Sequence, residues 1–235
     1  MTVPAMATEV TVAVAANFGI PAQKISALFS AASGVKVQLV PGSTGKLYAQ
    51  VRNGAPFHVF LSADDETPSR MVREGLALAG SQSTYATGRL LLWSPRSGVV
   101  DGQGAVLRSD FRHLAIADPK LAPYGQAAIE TLDALGLRAA VQGRLVQGES
   151  MGQAYQFVAS GNADLGFVAL SQVMVGGKIS TGSAWLVPAS WHTALKQDAV
   201  LLQAGKDLPA AQAFLNFLRT EPARQVMRSY GYEIQ

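Results

Sequence analysis

Apolar residues follow two alternating patterns along the chain. Short continuous apolar runs, such as Val10–Ala15 and Leu114–Ala117, are typical of buried strands. The segments between such runs have a helical period, and Pro21–Ser33 places Ile25 and Phe29 on one face. The chain therefore alternates predicted strands with predicted helices.

Five further strands and five further helices complete this pattern. The strands are expected at Val35–Val40, Phe57–Leu61, Leu90–Trp93, Arg144–Gln147 and Leu165–Ala169. The helices are expected at Lys46–Asn53, Glu66–Glu74, Gln126–Leu135, Met151–Ser160 and Pro209–Ser229, the last broken at Pro222. Strands separated by helices need crossover connections, which predicts an α/β fold with mainly parallel sheets and helices on both faces. Such sheets bind ligands where the carboxyl ends of strands meet the starts of helices.

The length of the chain allows either one large domain or two small lobes. A chain of 235 residues is long for one compact core. If there are two lobes, the candidate crossings between them lie near Tyr85–Leu90 and Ser183–Trp191. The sequence contains no internal repeat and no low-complexity linker.

Composition excludes several classes of protein. The net charge is +3 without a dense run of Lys or Arg, so nucleic-acid binding is not expected. The chain has no cysteine, which excludes disulfides, thiolate zinc sites and a cysteine nucleophile. The three histidines, His58, His113 and His192, are too widely spaced for a metal-ligand pattern. No apolar run approaches the roughly 18 residues of a membrane span.

The first seven residues allow two interpretations. Ala5-Met6-Ala7 has the small-x-small form of a signal-peptidase site, but the basic start and apolar stretch that normally precede such a site are absent. Residues 1–7 are therefore either the remnant of a signal peptide (or an added start), or the ordinary start of a cytosolic chain.

Four predicted strand-to-helix turns are rich in small and polar residues. They are Ala16-Asn17-Phe18, Gly42-Ser43-Thr44-Gly45, the run from Asp118 to Gly125, and Gly148-Glu149-Ser150-Met151-Gly152. Helix starts carry unsatisfied N–H donors and a partial positive charge, which together make anion sites. Several such turns converging on one cleft could hold a dianion without any charged side chain. The alternative is that Asn17, Ser43, Thr44 and Ser150 are ordinary helix caps.

The fourth turn also has the form of a catalytic motif. The run from Gly148 to Gly152 matches the G-x-S-x-G nucleophile elbow, and it lies between a predicted strand and a predicted helix. Asp164 and His192 follow Ser150 in the order that a serine hydrolase of this type requires. A serine hydrolase therefore remains an alternative.

A resemblance to a known family extends from about residue 8 to the C-terminus. It rests on blocks that occur in order: Ala15-Ala16-Asn17-Phe18, 42–50, 53–56, 60–64, 122–125, 149–154, 164–171 and 228–232. As a set, these blocks resemble the periplasmic molybdate-binding proteins of ABC transporters. The resemblance implies a two-lobed periplasmic-binding fold of type II, in which residues 8–86 and 190–235 form one lobe and residues 87–189 the other.

The resemblance also implies a binding site. Asn17 and Thr44 would donate hydrogen bonds from the first lobe, with Ser43 as the adjacent hydroxyl, and the main-chain N–H groups near Tyr124 and Met151 would donate from the second. The chain departs from the family pattern at two positions. One branch has Thr where this chain has Ala16, and another has a tyrosine where this chain has Ala169. One side-chain donor is then missing: either a neighbouring hydroxyl, such as that of Ser43 or Tyr124, replaces it, or the site binds the ion with fewer hydrogen bonds.

The expected function follows from this resemblance. We expect a periplasmic, monomeric binding protein that closes around molybdate or tungstate and delivers it to a membrane permease, with no cofactor, no resident metal and no catalysis. Two alternatives stay open at this point: the serine hydrolase, and an oxyanion-sensing domain of the same fold.

Overall fold

The computed structural model describes residues 9–234, so the interpretation of residues 1–7 lies outside the described residues. The strands are β1 (Glu9–Ala15), β2 (Lys36–Gly42), β3 (Val59–Leu61), β4 (Ser83–Thr87), β5 (Leu90–Ser94), β6 (Leu114–Ala117), β7 (Leu145–Gly148), β8 (Leu165–Ala169), β9 (Met174–Val175), β10 (Lys178–Ile179), β11 (Ser183–Leu186) and β12 (Lys196–Leu201). The helices are α1 (Gly19–Ser33), α2 (Thr44–Arg52), α3 (Glu66–Arg73), α4 (Pro123–Ala134), α5 (Arg138–Val141), α6 (Met151–Ala159), α7 (Leu170–Val173), α8 (Pro209–Phe217) and α9 (Glu221–Ser229). Within residues 9–234, no helix has the length and apolarity that a membrane crossing requires.

Two five-stranded sheets form the centre of the molecule. The first has the order β2-β1-β3-β12-β4 and the second the order β11-β5-β8-β6-β7. Helices pack on these sheets, which confirms the predicted α/β class. The strand pairing is mixed rather than mainly parallel, because each sheet has two parallel and two antiparallel pairings. The antiparallel pairings arise where β12 returns to the first sheet and where β5 and β11 join the second.

Local sequence explains most element ends. Gly34 ends α1 in a left-handed conformation with φ of 73°, which suits a residue without Cβ. Pro123 opens α4, where its missing N–H costs no hydrogen bond. The break in the C-terminal helical segment was predicted at Pro222, but α8 ends earlier, at Phe217. Pro222 lies in the first turn of α9 instead.

The chain crosses between the sheets twice. The first crossing is short, because β4 ends at Thr87 and β5 begins at Leu90, and the second runs from Leu186 to Lys196. Both predicted crossing segments, Tyr85–Leu90 and Ser183–Trp191, therefore overlap strands that the sequence pattern did not reveal. The isolated pairing of Thr87 with Glu233 ties the C-terminal residues to the first crossing.

Candidate functional site

One small enclosed cavity lies between the two sheets. Its lining consists of Ala15, Ala16, Asn17, Gly42, Ser43, Thr44, Ala63, Ala122, Pro123, Tyr124 and Met151. These residues come from the carboxyl ends of the parallel strands and from the helix starts that follow them, the position at which open α/β sheets bind ligands. The volume of the cavity that is open to the centre of a water-sized sphere is only about 10 Å³. The cavity thus suits a compact ion better than a sugar or an organic acid.

All four predicted turns contribute to this cavity. Ala16 opens a short 3-10 helical turn, Thr44 opens α2, Tyr124 lies in the first turn of α4, and Met151 opens α6. The first N–H groups of a helix have no partner within the helix, so their positive ends are available to an anion. Of the donors near the start of α2, the N–H of Gly45 is already used, since it donates to the carbonyl of Leu121 at 2.9 Å.

Three hydroxyl groups lie among the lining residues. Ser43 Oγ and Tyr124 Oη are buried, and neither has a hydrogen-bond partner among residues 9–234. Thr44 Oγ1 accepts a hydrogen bond from the N–H of Ala63 at 3.2 Å, which leaves its own hydrogen free to donate. Buried polar groups are nearly always satisfied, so unpartnered hydroxyls around one cavity indicate a missing acceptor.

Asn17 occupies the predicted position but uses its side chain differently. Its Nδ2 donates to Gln197 Oε1 at 2.7 Å and to Tyr232 Oη at 3.0 Å. Both amide hydrogens are therefore directed at other side chains and not at the cavity. What Asn17 can offer an anion in this arrangement is its main-chain N–H.

The cavity lining carries no formally charged side chain. Its one titratable group is the phenol of Tyr124, and burial, with the neighbouring Tyr232 and Tyr85, raises the pKa of that phenol well above its usual value. Ion pairs occur only outside the lining: Lys46 and Glu149, each about half-exposed or more, meet at 2.9 Å across the cleft. Neutral donors therefore surround the cavity over the whole ordinary pH range.

Helices and loops that follow the strands of the two sheets contact each other at two places near the cavity. At the first, Gly45 of α2 donates to Leu121 of the loop before α4. At the second, Ser171 Oγ of α7 donates to the main-chain carbonyl of Asn17 at 2.7 Å. The structure is thus a closed arrangement in which both halves touch around the cavity.

The residues of the alternative catalytic triad do not come together. Ser150 Oγ accepts from the N–H of Gln153, and His192 Nδ1 contacts the carbonyl of Thr193. Asp164 accepts from the N–H groups of Arg112 and His113. The Gly148–Gly152 turn is therefore a helix start with a serine cap, and the nucleophile-elbow interpretation is wrong.

The described residues also offer no metal site. The described chain contains no group of three or more His, Asp or Glu side chains that could hold a metal ion. His58 instead accepts a hydrogen bond from the N–H of Thr11 at 2.9 Å, and burial lowers its pKa.

Sequence reasoning missed four residues next to the cavity. Ser171, Gln197 and Tyr232 surround Asn17, and Gly88 lies against the Tyr124 hydroxyl. Ser171 and Tyr232 fall within blocks of the family resemblance, so only their role was missed. Nothing in the local pattern marks Gln197 or Gly88.

Comparisons with known proteins agree with this geometry. Residues 10–233 match the family described as bacterial extracellular solute-binding protein. The chain is 53% identical to the molybdate-binding protein ModA of Azotobacter vinelandii over 98% of its length and 92% of that protein. It is 51% identical to the molybdate-binding protein ModA of Rhodobacter capsulatus over 99% of its length and 91% of that protein.

Solved structures give the same result. The periplasmic molybdate-binding protein of Azotobacter vinelandii superimposes with a TM-score of 0.93 over 96% of this chain and 99% of that one, with 40% identity at the superimposed positions. The sulfate-binding protein SubI of Mycobacterium tuberculosis superimposes with a TM-score of 0.79 over 97% of this chain and 87% of that one. Its identity is 15%, so it shows the fold alone. The two-lobed periplasmic-binding fold is thereby confirmed.

Proposed function

The chain belongs to the bacterial extracellular solute-binding protein family, and from this premise we propose that it captures molybdate outside the cytoplasm and delivers it to the permease of an ABC transporter. The observation that carries the proposal is the small cavity lined by helix starts, with no charged side chain and with the buried, unpartnered hydroxyl of Ser43 among its lining residues. The chain is more than 50% identical to each of two molybdate-binding proteins, which supports the choice of ion. The protein binds its ligand and performs no chemistry on it.

The chemistry of the cavity suits a fully ionised oxyanion. Molybdate is a dianion at neutral pH, and neutral N–H and O–H donors replace its water without an added counter-charge. Each such charge-assisted hydrogen bond contributes about 1.5–3 kcal/mol net. A protonated oxyanion such as hydrogen phosphate brings an O–H group that needs an acceptor, and the lining offers no carboxylate to accept it. The ligand is therefore selected by charge state first and by size second.

We propose six residues as the ligand site: Ala16, Asn17, Ser43, Thr44, Tyr124 and Met151. Asn17 and Met151 would contribute main-chain N–H groups, and Ser43 and Thr44 their hydroxyl hydrogens. Ala16 lacks the hydroxyl found in one branch of the family. The unpartnered Ser43 Oγ and Tyr124 Oη are the groups that could replace it.

We further propose that the two sheets belong to lobes that close on the ion. The first lobe would comprise residues 8–86 and 190–235, and the second residues 87–189. The membership of the strands in the two sheets supports this division. An ion that contacts both lobes stabilises the closed form relative to the open one. We propose that tungstate, which has the same shape and charge, binds as well, and that the protein acts as a monomer.

A thermal-unfolding panel tests the proposal. At about a hundredfold excess over the dissociation constant, a ligand stabilises the folded state by about 2.7 kcal/mol. For a chain of this size this raises Tm by about 5–11 °C. We expect that rise with molybdate and with tungstate, and none with phosphate. A rise with another anion and none with molybdate would overturn the choice of ion.

A matched pair of variants tests the site itself. Ser43→Ala removes a buried hydroxyl at the cavity, and Ser26→Ala removes a buried hydroxyl in α1, which also lacks a partner among residues 9–234. We expect Ser43→Ala to weaken molybdate binding about 10- to 150-fold, the equivalent of one charge-assisted bond. Ser26→Ala should leave the affinity unchanged. Equal affinities of the two variants would remove Ser43 from the site.

A further inference from the structure

A buried cluster of four polar side chains lies directly behind the cavity. It consists of Asn17, Ser171, Gln197 and Tyr232, and each is at most 4% exposed. Asn17 is its centre. Its Nδ2 donates to Gln197 and Tyr232, and its main-chain carbonyl accepts from Ser171 Oγ at 2.7 Å and from Tyr232 Oη at 3.0 Å. Tyr232 Oη and Ser171 Oγ also lie 3.1 Å apart.

The members of this cluster come from both halves of the molecule. Ser171 lies in α7, which follows β8 of the second sheet, whereas Gln197 lies in β12 of the first sheet. Tyr232 belongs to the C-terminal segment, whose neighbour Glu233 pairs with Thr87 at the first crossing. The hydrogen bond from Ser171 to Asn17 therefore joins the two sheets, and it requires that they be close together.

Surrounding elements hold the cluster in place. The ring of Tyr232 packs edge-on against Phe18, with their centroids 5.2 Å apart, and Gln197 Nε2 donates to the carbonyl of Leu195 at 2.8 Å. These contacts fix the directions of the Tyr232 hydroxyl and of the Gln197 carboxamide. Asn17 is consequently held at two of its atoms, the side-chain nitrogen Nδ2 and the main-chain carbonyl oxygen.

We propose that Tyr232, Gln197 and Ser171 are positioning residues, which fix the Ala16–Phe18 turn so that its main-chain N–H groups are directed at the ion, with Ser171 doing so only in the closed form. This inference rests on the proposed function. Tyr232 and Gln197 hold the turn in the open and the closed forms alike. Ser171 adds a bond when the lobes meet, so that closure and the alignment of the anion donors occur together.

The proposal predicts different kinetic effects for different members. Tyr232→Phe keeps the ring contact with Phe18 and removes one bond to each held atom of Asn17, so the turn is less well aligned before the ion arrives. Ser171→Ala removes a bond that exists only after closure. We expect Ser171→Ala to weaken molybdate binding about 3- to 10-fold, the equivalent of one neutral hydrogen bond, and Tyr232→Phe, which loses two, to weaken it by at least that factor. For Ser171→Ala the change should lie in the dissociation rate constant, with the association rate constant unchanged.

Two control variants separate positioning from general stability. Tyr230→Phe removes a neighbouring tyrosine hydroxyl outside the cluster, and Ser180→Ala removes a hydroxyl that donates to the carbonyl of Val173. Stopped-flow titration of all four variants with molybdate gives the rate constants, and thermal unfolding gives their stability without ligand. A purely structural role would lower Tm in Tyr232→Phe and Ser171→Ala but leave both rate constants at the wild-type values, and that result would overturn the proposal.

Amide hydrogen exchange keeps this test separate from that of the proposed function. In the ligand-free protein, Tyr232→Phe should speed exchange of the Ala16–Phe18 amides at least about 3- to 10-fold relative to Tyr230→Phe, because it loses two hydrogen bonds to Asn17. Failure of wild-type protein to bind molybdate would overturn the proposed function alone. Unchanged exchange in Tyr232→Phe would overturn the positioning role, whatever ion the protein binds.

Discussion

Gly88 offers a direct test of how closely the binding cavity is packed against the first crossing. A Cβ atom built on Gly88 would lie 1.9 Å from Tyr124 Oη, 3.0 Å from Tyr124 Cζ and 3.4 Å from Gln197 Nε2. The φ angle of Gly88 is not in the left-handed region, so alanine adds no backbone strain there. Gly88→Ala is therefore a purely steric perturbation, aimed at one hydroxyl of the proposed site.

The expected magnitude follows from these distances. Heavy atoms do not approach within 3.0 Å of a Cβ atom, so the Tyr124 hydroxyl must move by about 1 Å or more, and overpacking of this kind costs about 1–3 kcal/mol. In a Tyr124→Phe background the 1.9 Å contact is absent, and the tight contact to Cζ remains. The cost of Gly88→Ala should then fall by at least about 1 kcal/mol, within the range found for residues in contact.

Urea unfolding of four ligand-free proteins measures this coupling. They are the wild type, Gly88→Ala, Tyr124→Phe and the double variant. Gly19→Ala is the control, because a Cβ at Gly19 would meet nothing within 4 Å and its φ of −55° is helical. It should show no coupling to Tyr124→Phe. If Gly88→Ala costs the same in both backgrounds, within about 0.5 kcal/mol, the packing argument is refuted.

Three further predictions concern the surroundings of the cavity. Ser150→Ala removes the cap that accepts the Gln153 N–H, so the free energy of unfolding in urea should fall by about 1 kcal/mol. Molybdate affinity should be retained in that variant, and ester hydrolysis that depends on Ser150 would contradict this expectation. Lys46 and Glu149 form an exposed ion pair, and removing either or both charges should change molybdate affinity less than about fivefold in titrations at low salt. The change should disappear at high salt, because salt screens exposed charges. An effect that persists at high salt would contradict the assignment of this pair as exposed and outside the site. Burial raises the pKa of Tyr232 to about 12, whereas an unfolded tyrosine ionises near about 10. The contribution of Tyr232 to the free energy of unfolding should therefore be constant below about pH 10 and then fall by about 2 kcal/mol by about pH 12, and this fall should be absent from Tyr232→Phe. Urea unfolding across this range measures the fall, and a flat profile would contradict the assignment.

Local patterns predicted the elements that local residues determine. The apolar run of β1 and the period and final glycine of α1 are visible without any partner. Among the strands that the pattern missed, β4, β11 and β12 contain polar residues such as Ser83, Lys196 and Gln197. Their strand conformation depends on pairing with distant segments, as when β12 inserts between β3 and β4. The same insertion produced the antiparallel pairings of the first sheet, and the return of β5 and β11 produced those of the second; the crossover argument predicted neither.

The site residues also divide into those that local sequence predicts and those that depend on distant partners. The turns at Ala16, Ser43, Tyr124 and Met151 were predicted because Gly, Pro, Ser and Asn mark helix starts within a few residues. The use of the Asn17 amide could not be predicted, since its partners lie 180 and 215 residues further along the chain. Whether an amide meets an ion or another side chain depends on this long-range packing and on no local signal.

The 215-residue separation of Asn17 and Tyr232 has a consequence for the order of folding. Closing a loop of that length costs about 5 kcal/mol of chain entropy, which only late, cooperative packing can offset. Asn17, in the Ala16–Phe18 turn, is synthesised 215 residues before its partner Tyr232. In a chain that emerges from a ribosome or a membrane pore N-terminus first, the turns that line the cavity can thus form while Asn17 still lacks its partner Tyr232. The ion then meets its fully aligned site only after Tyr232 has emerged, which delays tight binding without excluding earlier, weaker binding.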